Sequence, residues 1–168
     1  AEVSLGALRH NVEEMQRALP DGCGLLGVVK ADAYGHGASE IAAALRECGC
    51  RYLAVACPQE ALALRQAGET MPILILGAVD AAFASDMAAN DITLSVECAE
   101  KGRALSAALR GGERLRIHLK LDTGMGRLGF RVQDETALRE AAAAAQLPNL
   151  DAEGVFTHFS VSDTPGEE

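Results

Sequence analysis

Gly24-Leu25-Leu26-Gly27-Val28-Val29 and Tyr52-Leu53-Ala54-Val55-Ala56 are short apolar runs, and Ser39 to Cys48 between them reads as a helix. The second run leads into another helix, Pro58 to Ala67, with proline at its start and Gly68 just past its end. The same alternation continues along the chain. Strands are expected at 73–76, 92–96, 115–121 and 152–157, and helices at 80–88, 97–109 and 134–144. Each of the first five of the six strands is thus followed by a helix. Apolar strands alternating with helices specify an α/β fold whose parallel sheet is buried on both faces. Two architectures satisfy that pattern, a doubly wound sheet and a (β/α)8 TIM-type barrel. No G-x-G-x-x-G follows the first strand, which argues against the nucleotide-binding version of the former. A barrel needs eight strands and typically ~250 residues. The expectation is therefore a barrel truncated after about six strands, over residues 1–168.

Ahead of the first strand, Leu5, Leu8, Val12, Met15 and Leu19 recur at helical spacing, with Ser4 placed to cap and Pro20 to stop. The polar end, Ser162 to Glu168, reads as a loop and not as a domain boundary.

Composition narrows the class. The chain has 168 residues, 49% apolar and 23% charged, with a formal net charge of −9. That suits a soluble globular protein and argues against a nucleic-acid surface, which would want a basic patch. No apolar run approaches the ~18 residues of a membrane span. The N-terminus shows no basic-then-apolar leader, so no signal peptide is expected. The cysteines Cys23, Cys48, Cys50, Cys57 and Cys98 are odd in number, and Cys48-Gly49-Cys50 is too tight for zinc. They read as reduced, mostly buried thiols of a cytoplasmic protein, with no metal site.

Positive charge is carried by twelve arginines and only three lysines, Lys30, Lys101 and Lys120. Lys101 falls on a helix. Lys30 and Lys120 end, or nearly end, apolar strands, where parallel α/β folds keep their chemistry. Lysine, unlike arginine, can lose its proton when desolvated and act as nucleophile or base. By position alone, Lys30 is equally a snorkelling strand-end lysine.

The segments around these lysines say more. Val28-Val29-Lys30-Ala31-Asp32-Ala33-Tyr34-Gly35-His36-Gly37 resembles the cofactor-lysine segment of alanine racemases, which often have Asn at the place of Asp32. His118-Leu119-Lys120-Leu121-Asp122-Thr123-Gly124-Met125-Gly126-Arg127-Leu128-Gly129-Phe130 resembles a second signature of that family. Glu153-Gly154-Val155-Phe156-Thr157-His158-Phe159-Ser160 resembles its Thr-His-Phe stretch. The likeness runs from Leu5-Gly6-Ala7-Leu8-Arg9-His10-Asn11 to that stretch, nearly the whole chain.

The resemblance implies a pyridoxal-phosphate barrel followed by a β-rich domain. Lys30 would carry pyridoxal 5'-phosphate as a Schiff base and act as the base on one face of the substrate. Tyr34 would bind the cofactor phosphate. Arg127 would contact both the substrate carboxylate and the cofactor ring, and His158 would lie beside the pyridine. The lysine matching Lys120 is commonly carbamylated in the family, and the resulting anion holds the arginine. Carbamylation needs a neutral amine, so the site must depress that lysine. Gly35 and Gly37 are expected to turn the chain tightly. Glycines 124, 126 and 129 are expected to let the backbone approach the ligand. His36 reads as a structural loop histidine, and Asp122 as either a supporting residue or a turn residue.

The opposite base in the family is a tyrosine from the other subunit of a homodimer, and neither Tyr34 nor Tyr52 matches it. The remaining strands and the β-domain lie beyond residue 168 in the family. The chain alone is therefore expected to be inactive, with open edges on its first and sixth strands. The substrate is expected to be alanine, converted between its L and D forms for cell-wall synthesis. Alternatives are a serine or broad-specificity racemase, an amino-acid decarboxylase of the same barrel type, a non-catalytic pyridoxal-phosphate barrel and a cofactor-free scaffold.

Overall fold

A computed structural model describes residues 2–162; the last six residues of the expected terminal loop lie outside the described residues. The chain forms two compact units, residues 1–77 and 78–168.

The first unit begins with α1 (Leu5–Ala18), whose N-terminus is capped as expected: the Ser4 hydroxyl accepts the Ala7 N–H at 3.2 Å. Of its apolar stripe only Val12 is buried, and Met15 is 58% exposed. Gln16 Nε2 donates to the Cys48 carbonyl and Arg9 pairs with Glu47, which ties α1 to α3 (Ala38–Glu47). Strands β1 (Leu26–Val28), β2 (Tyr52–Val55) and β3 (Ile73–Ile75) run parallel, with Gly27 opposite Leu53 and Leu53 opposite Ile73. Between them lie α2 (Lys30–Gly35), α3 and α4 (Pro58–Gln66). Leu53, Ile73, Leu74 and Ile75 are at most 1% exposed, and the helix residues Ala42, Ala61 and Leu64 at most 2%. Each large core side chain contributes roughly 1.5–3 kcal/mol through burial. The alternation of apolar strand and helix thus produces the expected parallel sheet. Strand β1 is its edge, and Leu26 and Val28 are each 39% exposed there.

The second unit opens with a 3-10 turn (Ala81–Phe83), followed by α5 (Ala84–Ala89). The helix expected over 80–88 is therefore two pieces. Asp80 caps the first by accepting the Ala82 N–H at 2.8 Å, and the chain starts tightly wound before relaxing to α. Strand β4 (Ile92–Val96) is buried at every position and runs parallel to β5 (Leu115–Asp122), with α6 (Ala99–Ala108) between them in sequence. A strand absent from the sequence expectation follows: β6 (Phe130–Arg131) pairs with Leu121 and Asp122. Then come α7 (Glu135–Ala144), capped by Asp134, and β7 (Leu150–Phe156), parallel to β5. Among the described residues the count is thus seven strands rather than six. The register of β7 slips by one between Ile117 and His118, because Ala152 pairs with Ile117 and Gly154 with His118. Glu153 is the extra residue, and the bulge re-aims its side chain. Val155 on β7 is 60% exposed, the second uncovered flank.

One further expectation needs correction. Of the five free cysteines only Cys50 is buried; Cys23 is exposed and the other three are intermediate. No helix of the described residues is long and apolar enough to cross a membrane.

Candidate active site

In the first unit, β1 ends in a ladder bond one residue past its last paired residue, from the Val29 N–H to the Ala54 carbonyl at 2.8 Å. Val29 is 1% exposed, so it anchors the point where Lys30 leaves the sheet. The next four residues, Ala31, Asp32, Ala33 and Tyr34, all have φ between 51° and 58°. Residues 31–34 of α2 therefore form a left-handed turn that contains no glycine. Such a turn costs roughly 1–2 kcal/mol for each L-residue in it. Strain of this kind persists only where surroundings enforce it, and it concentrates at functional sites.

The enforcing bonds are visible. The Ala33 N–H reaches the Val29 carbonyl and the Gly37 N–H the Asp32 carbonyl. The Asp32 carboxylate accepts the Ala38 N–H at 2.7 Å, which caps α3. Gly35 and Gly37 have φ of 83° and 90°, as tight turning requires, but the decisive positive-φ residues are the four before them. His36 Nδ1 lies 2.8 Å from the Ala33 carbonyl, the structural role expected of it.

Lys30 itself is partly buried, and its Nζ makes no hydrogen bond or ion pair among the described residues; it lies 6.0 Å from the Tyr34 ring centroid. Tyr34 is 60% exposed, so its hydroxyl is open to a ligand. A cleft of about 550 Å³ in this unit has residues of α1 and β1, Tyr34 and His36 in its lining, but not Lys30. It lies along the exposed edge of β1.

The second unit treats its strand-end lysine differently. Lys120 is 5% exposed, and its Nζ lies 4.4 Å from the Phe156 ring centroid. Burial pushes its pKa below the usual lysine value, and the Arg127 guanidinium pushes the same way, against the opposing pull of Asp122 and Glu97. A neutral amine is the form that CO2 can modify. Asp122 resolves as a turn residue. Its Oδ1 accepts the N–H groups of Gly124 (3.0 Å) and Gly126 (2.9 Å), and those bonds hold its carboxyl below the usual range. The glycine expectation changes at position 129. A Cβ there would fall 2.7–2.8 Å from the β5 backbone at Lys120, Leu121 and Asp122, so Gly129 admits the chain's own strand rather than a ligand.

Arg127 sits exposed in the loop between β5 and β6, with no hydrogen bond or ion pair among the described residues. His158 is exposed two residues beyond the end of β7, and Thr157 fixes that exit by donating to the Leu121 carbonyl at 3.0 Å.

Three features escaped the sequence reading. Glu60, in the first turn of α4, accepts the Ala31 N–H with Oε1 and the Ala56 N–H with Oε2, both at 2.7 Å. An acid at the third position of a proline-started helix is a capping signal that could have flagged it. Glu97, just past β4, has a buried Oε2 with no hydrogen-bond partner among the described residues. Burial pushes its carboxyl up, against its own backbone N–H and the charges of Lys101 and Lys120. Glu153 accepts from Thr93 Oγ1 at 2.9 Å, and its Oε1 lies 3.5 Å from His118 Nε2. Burial lowers the His118 pKa despite the adjacent carboxylate. Nothing in the sequence marks the bulge that brings Glu153 there.

A lysine at or near the C-terminal end of a parallel strand is where the α/β barrel class keeps its chemistry. Comparison with known proteins narrows this further. The family described as alanine racemase, N-terminal domain, matches residues 3–168, and the chain belongs to it. An alanine racemase from Desulforamulus reducens is 42% identical over 164 residues, covering 97% of this chain and 44% of the relative. The crystal structure of alanine racemase from Bacillus anthracis with bound L-Ala-P superposes with a TM-score of 0.89 at 35% identity, covering 96% of this chain and 42% of that one. A histidine racemase from Leuconostoc mesenteroides gives a TM-score of 0.85 at 32% identity, covering 98% and 44%. The fold is thus that of the family's TIM-type barrel domain, of which this chain covers part. The chain spans less than half the length of the relatives it matches.

Proposed function

We propose that the protein carrying this chain racemises L- and D-alanine with pyridoxal 5'-phosphate, and that Lys30 holds the cofactor. The observation that carries this reading is the Lys30 amine. It stands at the C-terminal end of β1, free of carboxylate partners, on a strained turn. Membership of the alanine racemase family supports the assignment.

The residues present fit the cofactor. An amine without an acid partner can condense with an aldehyde. The exposed Tyr34 hydroxyl suits a phosphate oxygen, and the exposed Arg127 fork suits a carboxylate or phenolate oxygen. When bound, pyridoxal phosphate supplies the electron sink that makes an α-proton removable. Lys30 Nζ takes and returns that proton on one face. Tyr34 donates to the phosphate and so fixes the ring. Arg127 donates two N–H groups to the substrate carboxylate and orients Cα. Lys120, once carbamylated, is an anion that holds the Arg127 guanidinium. His158 would help to hold the cofactor ring.

The base for the opposite face comes from a partner subunit, so the working form is a homodimer that acts on a small amino-acid substrate. The enzyme acts in the cytoplasm, and its D-alanine feeds cell-wall synthesis. The five unpaired thiols suit that reducing compartment. The likeness to a histidine racemase favours a second reading in which the same lysine serves another amino acid; serine and broad specificity belong to that reading.

Borohydride treatment of the full-length protein with pyridoxal phosphate, followed by peptide mapping, tests the assignment. A cofactor adduct on Lys30, with interconversion of alanine enantiomers faster than of serine or histidine, is the expected result. An adduct without turnover would leave a cofactor-binding barrel, and no adduct at Lys30 would refute the proposal.

A further inference from the structure

We propose that Glu60 is a positioning residue for Lys30: its carboxylate bridges the backbones of the first and second strand exits and fixes the left-handed turn that aims the lysine amine. This rests on the reading of Lys30 as the cofactor lysine.

The geometry isolates Lys30 between two fixed points. Before it, the Val29 N–H is bonded to the Ala54 carbonyl of β2 at 2.8 Å. After it, the Ala31 N–H is taken by Glu60 Oε1 at 2.7 Å. The first N–H groups of a helical turn have no partner within it. Ala31 therefore depends on this side chain, and it is the residue at which φ first turns positive.

The other carboxylate oxygen is equally committed. Glu60 Oε2 accepts the Ala56 N–H at 2.7 Å, where the chain leaves β2 for α4. A capping-box acid ordinarily reaches back to the N-cap of its own helix. Here the N-cap is Cys57, and Glu60 reaches one residue further while its second oxygen crosses to another loop. One carboxylate thus locks two strand exits together. Pro58 at the start of α4 is buried and Ala61 is 0% exposed, so Glu60 projects from a rigid base.

This bridge tolerates no close replacement. Glutamine keeps the shape but offers one acceptor oxygen where two N–H groups point, so either amide orientation loses a bond. Aspartate is one methylene too short to span both. Glu69 provides a matched comparison in the same unit. Its Oε1 accepts the Thr70 and Met71 N–H groups at 2.8 Å, and its Oε2 pairs with Arg46 at 3.0 Å. It is 6% exposed and touches no residue of the turn by those bonds.

The test uses the full-length protein and readouts other than turnover: pyridoxal-phosphate affinity by absorbance titration, borohydride trapping at Lys30, hydrogen exchange at 31–34 and a denaturation midpoint. Glu60→Gln is expected to weaken cofactor binding roughly tenfold or more, the scale of one charge-assisted bond. It should also speed exchange at 31–34. Glu69→Gln should lower the midpoint and leave cofactor affinity at the wild-type value. If Glu60→Gln does not fold, Glu60→Asp is read against the same expectations. Wild-type affinity and exchange in the Glu60 variant, or an affinity loss matched by Glu69→Gln, would overturn the positioning role while leaving Lys30 trapped in the wild type. A wild type that traps no cofactor at Lys30 would overturn the functional reading and this role together.

Discussion

Lys30 lies just past the end of β1 and Lys120 two residues before the end of β5, in separate units, yet the protein prepares them in opposite ways. Lys30 is partly open, and its placement comes from the main chain: a ladder bond before it, a strained turn after it and a carboxylate clamping that turn. Lys120 is 5% exposed on the strand itself, and its preparation is electrostatic, by burial and by Arg127. A group that must repeatedly take and release a partner needs an accessible amine in a fixed direction. A group that must stay neutral until modified needs a dry surrounding instead. Backbone strain serves the first need and desolvation the second.

The sharpest way to break this contrast is at Lys30. Replacing it with alanine removes the only amine placed by the left-handed turn. Racemase activity of the full-length protein should fall by at least ~10³-fold, as for loss of a group that both binds and transfers a proton. Because the amine makes no hydrogen bond, the urea midpoint of the apo protein should hardly move, within ~0.5 kcal/mol. A large stability loss would mean that Lys30 is structural after all.

The second test is at Gly129, which supports the loop of Arg127 against β5. Its φ is 127°, and an added Cβ would meet three β5 backbone atoms at 2.7–2.8 Å, none of which can swing aside. Gly129→Ala should destabilise by ~3 kcal/mol or more in chemical denaturation. Since the displaced backbone includes Lys120, bicarbonate should also lose any effect it has on the wild type. A near-neutral variant would show that the loop has an alternative path.

How much of this was legible in the sequence depends on what each feature needs to announce itself. The parallel sheet needed only apolar runs alternating with helices, and β2, β3 and β4 fall within the expected spans. Strand β6 is two residues long, too short to show any period. The left-handed turn is opaque for a different reason. Positive φ is normally signalled by glycine, and Ala31, Asp32, Ala33 and Tyr34 carry no such mark, because the turn is imposed by bonds from Glu60 and Val29. The lysines were legible because this chain otherwise chooses arginine. Their different surroundings were not, since burial of Lys120 depends on Phe156 of a strand distant in sequence.

Lys120→Met sharpens the electrostatic half of the contrast. The folded state depresses the lysine pKa, so the unfolded chain binds the extra proton more readily. That penalty applies in full below the folded pKa and is relieved as pH rises from there toward the ordinary ~10.4. The methionine variant should therefore be the more stable protein near neutral pH, with the gap closing by about pH 10 in denaturation series. Bicarbonate should raise the wild-type midpoint and leave the variant unchanged. A gap independent of pH would assign the effect to packing alone.

The smallest expected effect lies at His118, on the same strand. Burial lowers its pKa, and Glu153 and Arg116 act on it with opposite signs. Thr93 bonds the same carboxylate, Ser95 of β4 stands opposite His118 in register, and Gly154 faces it from β7. A depressed histidine binds fewer protons folded than unfolded. Its neutral form therefore costs nothing above the ordinary ~6.5, and stability is lost as pH falls from there through the folded value. His118→Gln should flatten that acid limb and leave stability above pH ~7 within about 1 kcal/mol of the wild type, because the amide can still meet the Glu153 carboxylate. If the acid limb keeps its slope in the variant, the titrating group lies elsewhere. Depression by burial along β5 would then belong to Lys120, and not to the face that His118 shares with it.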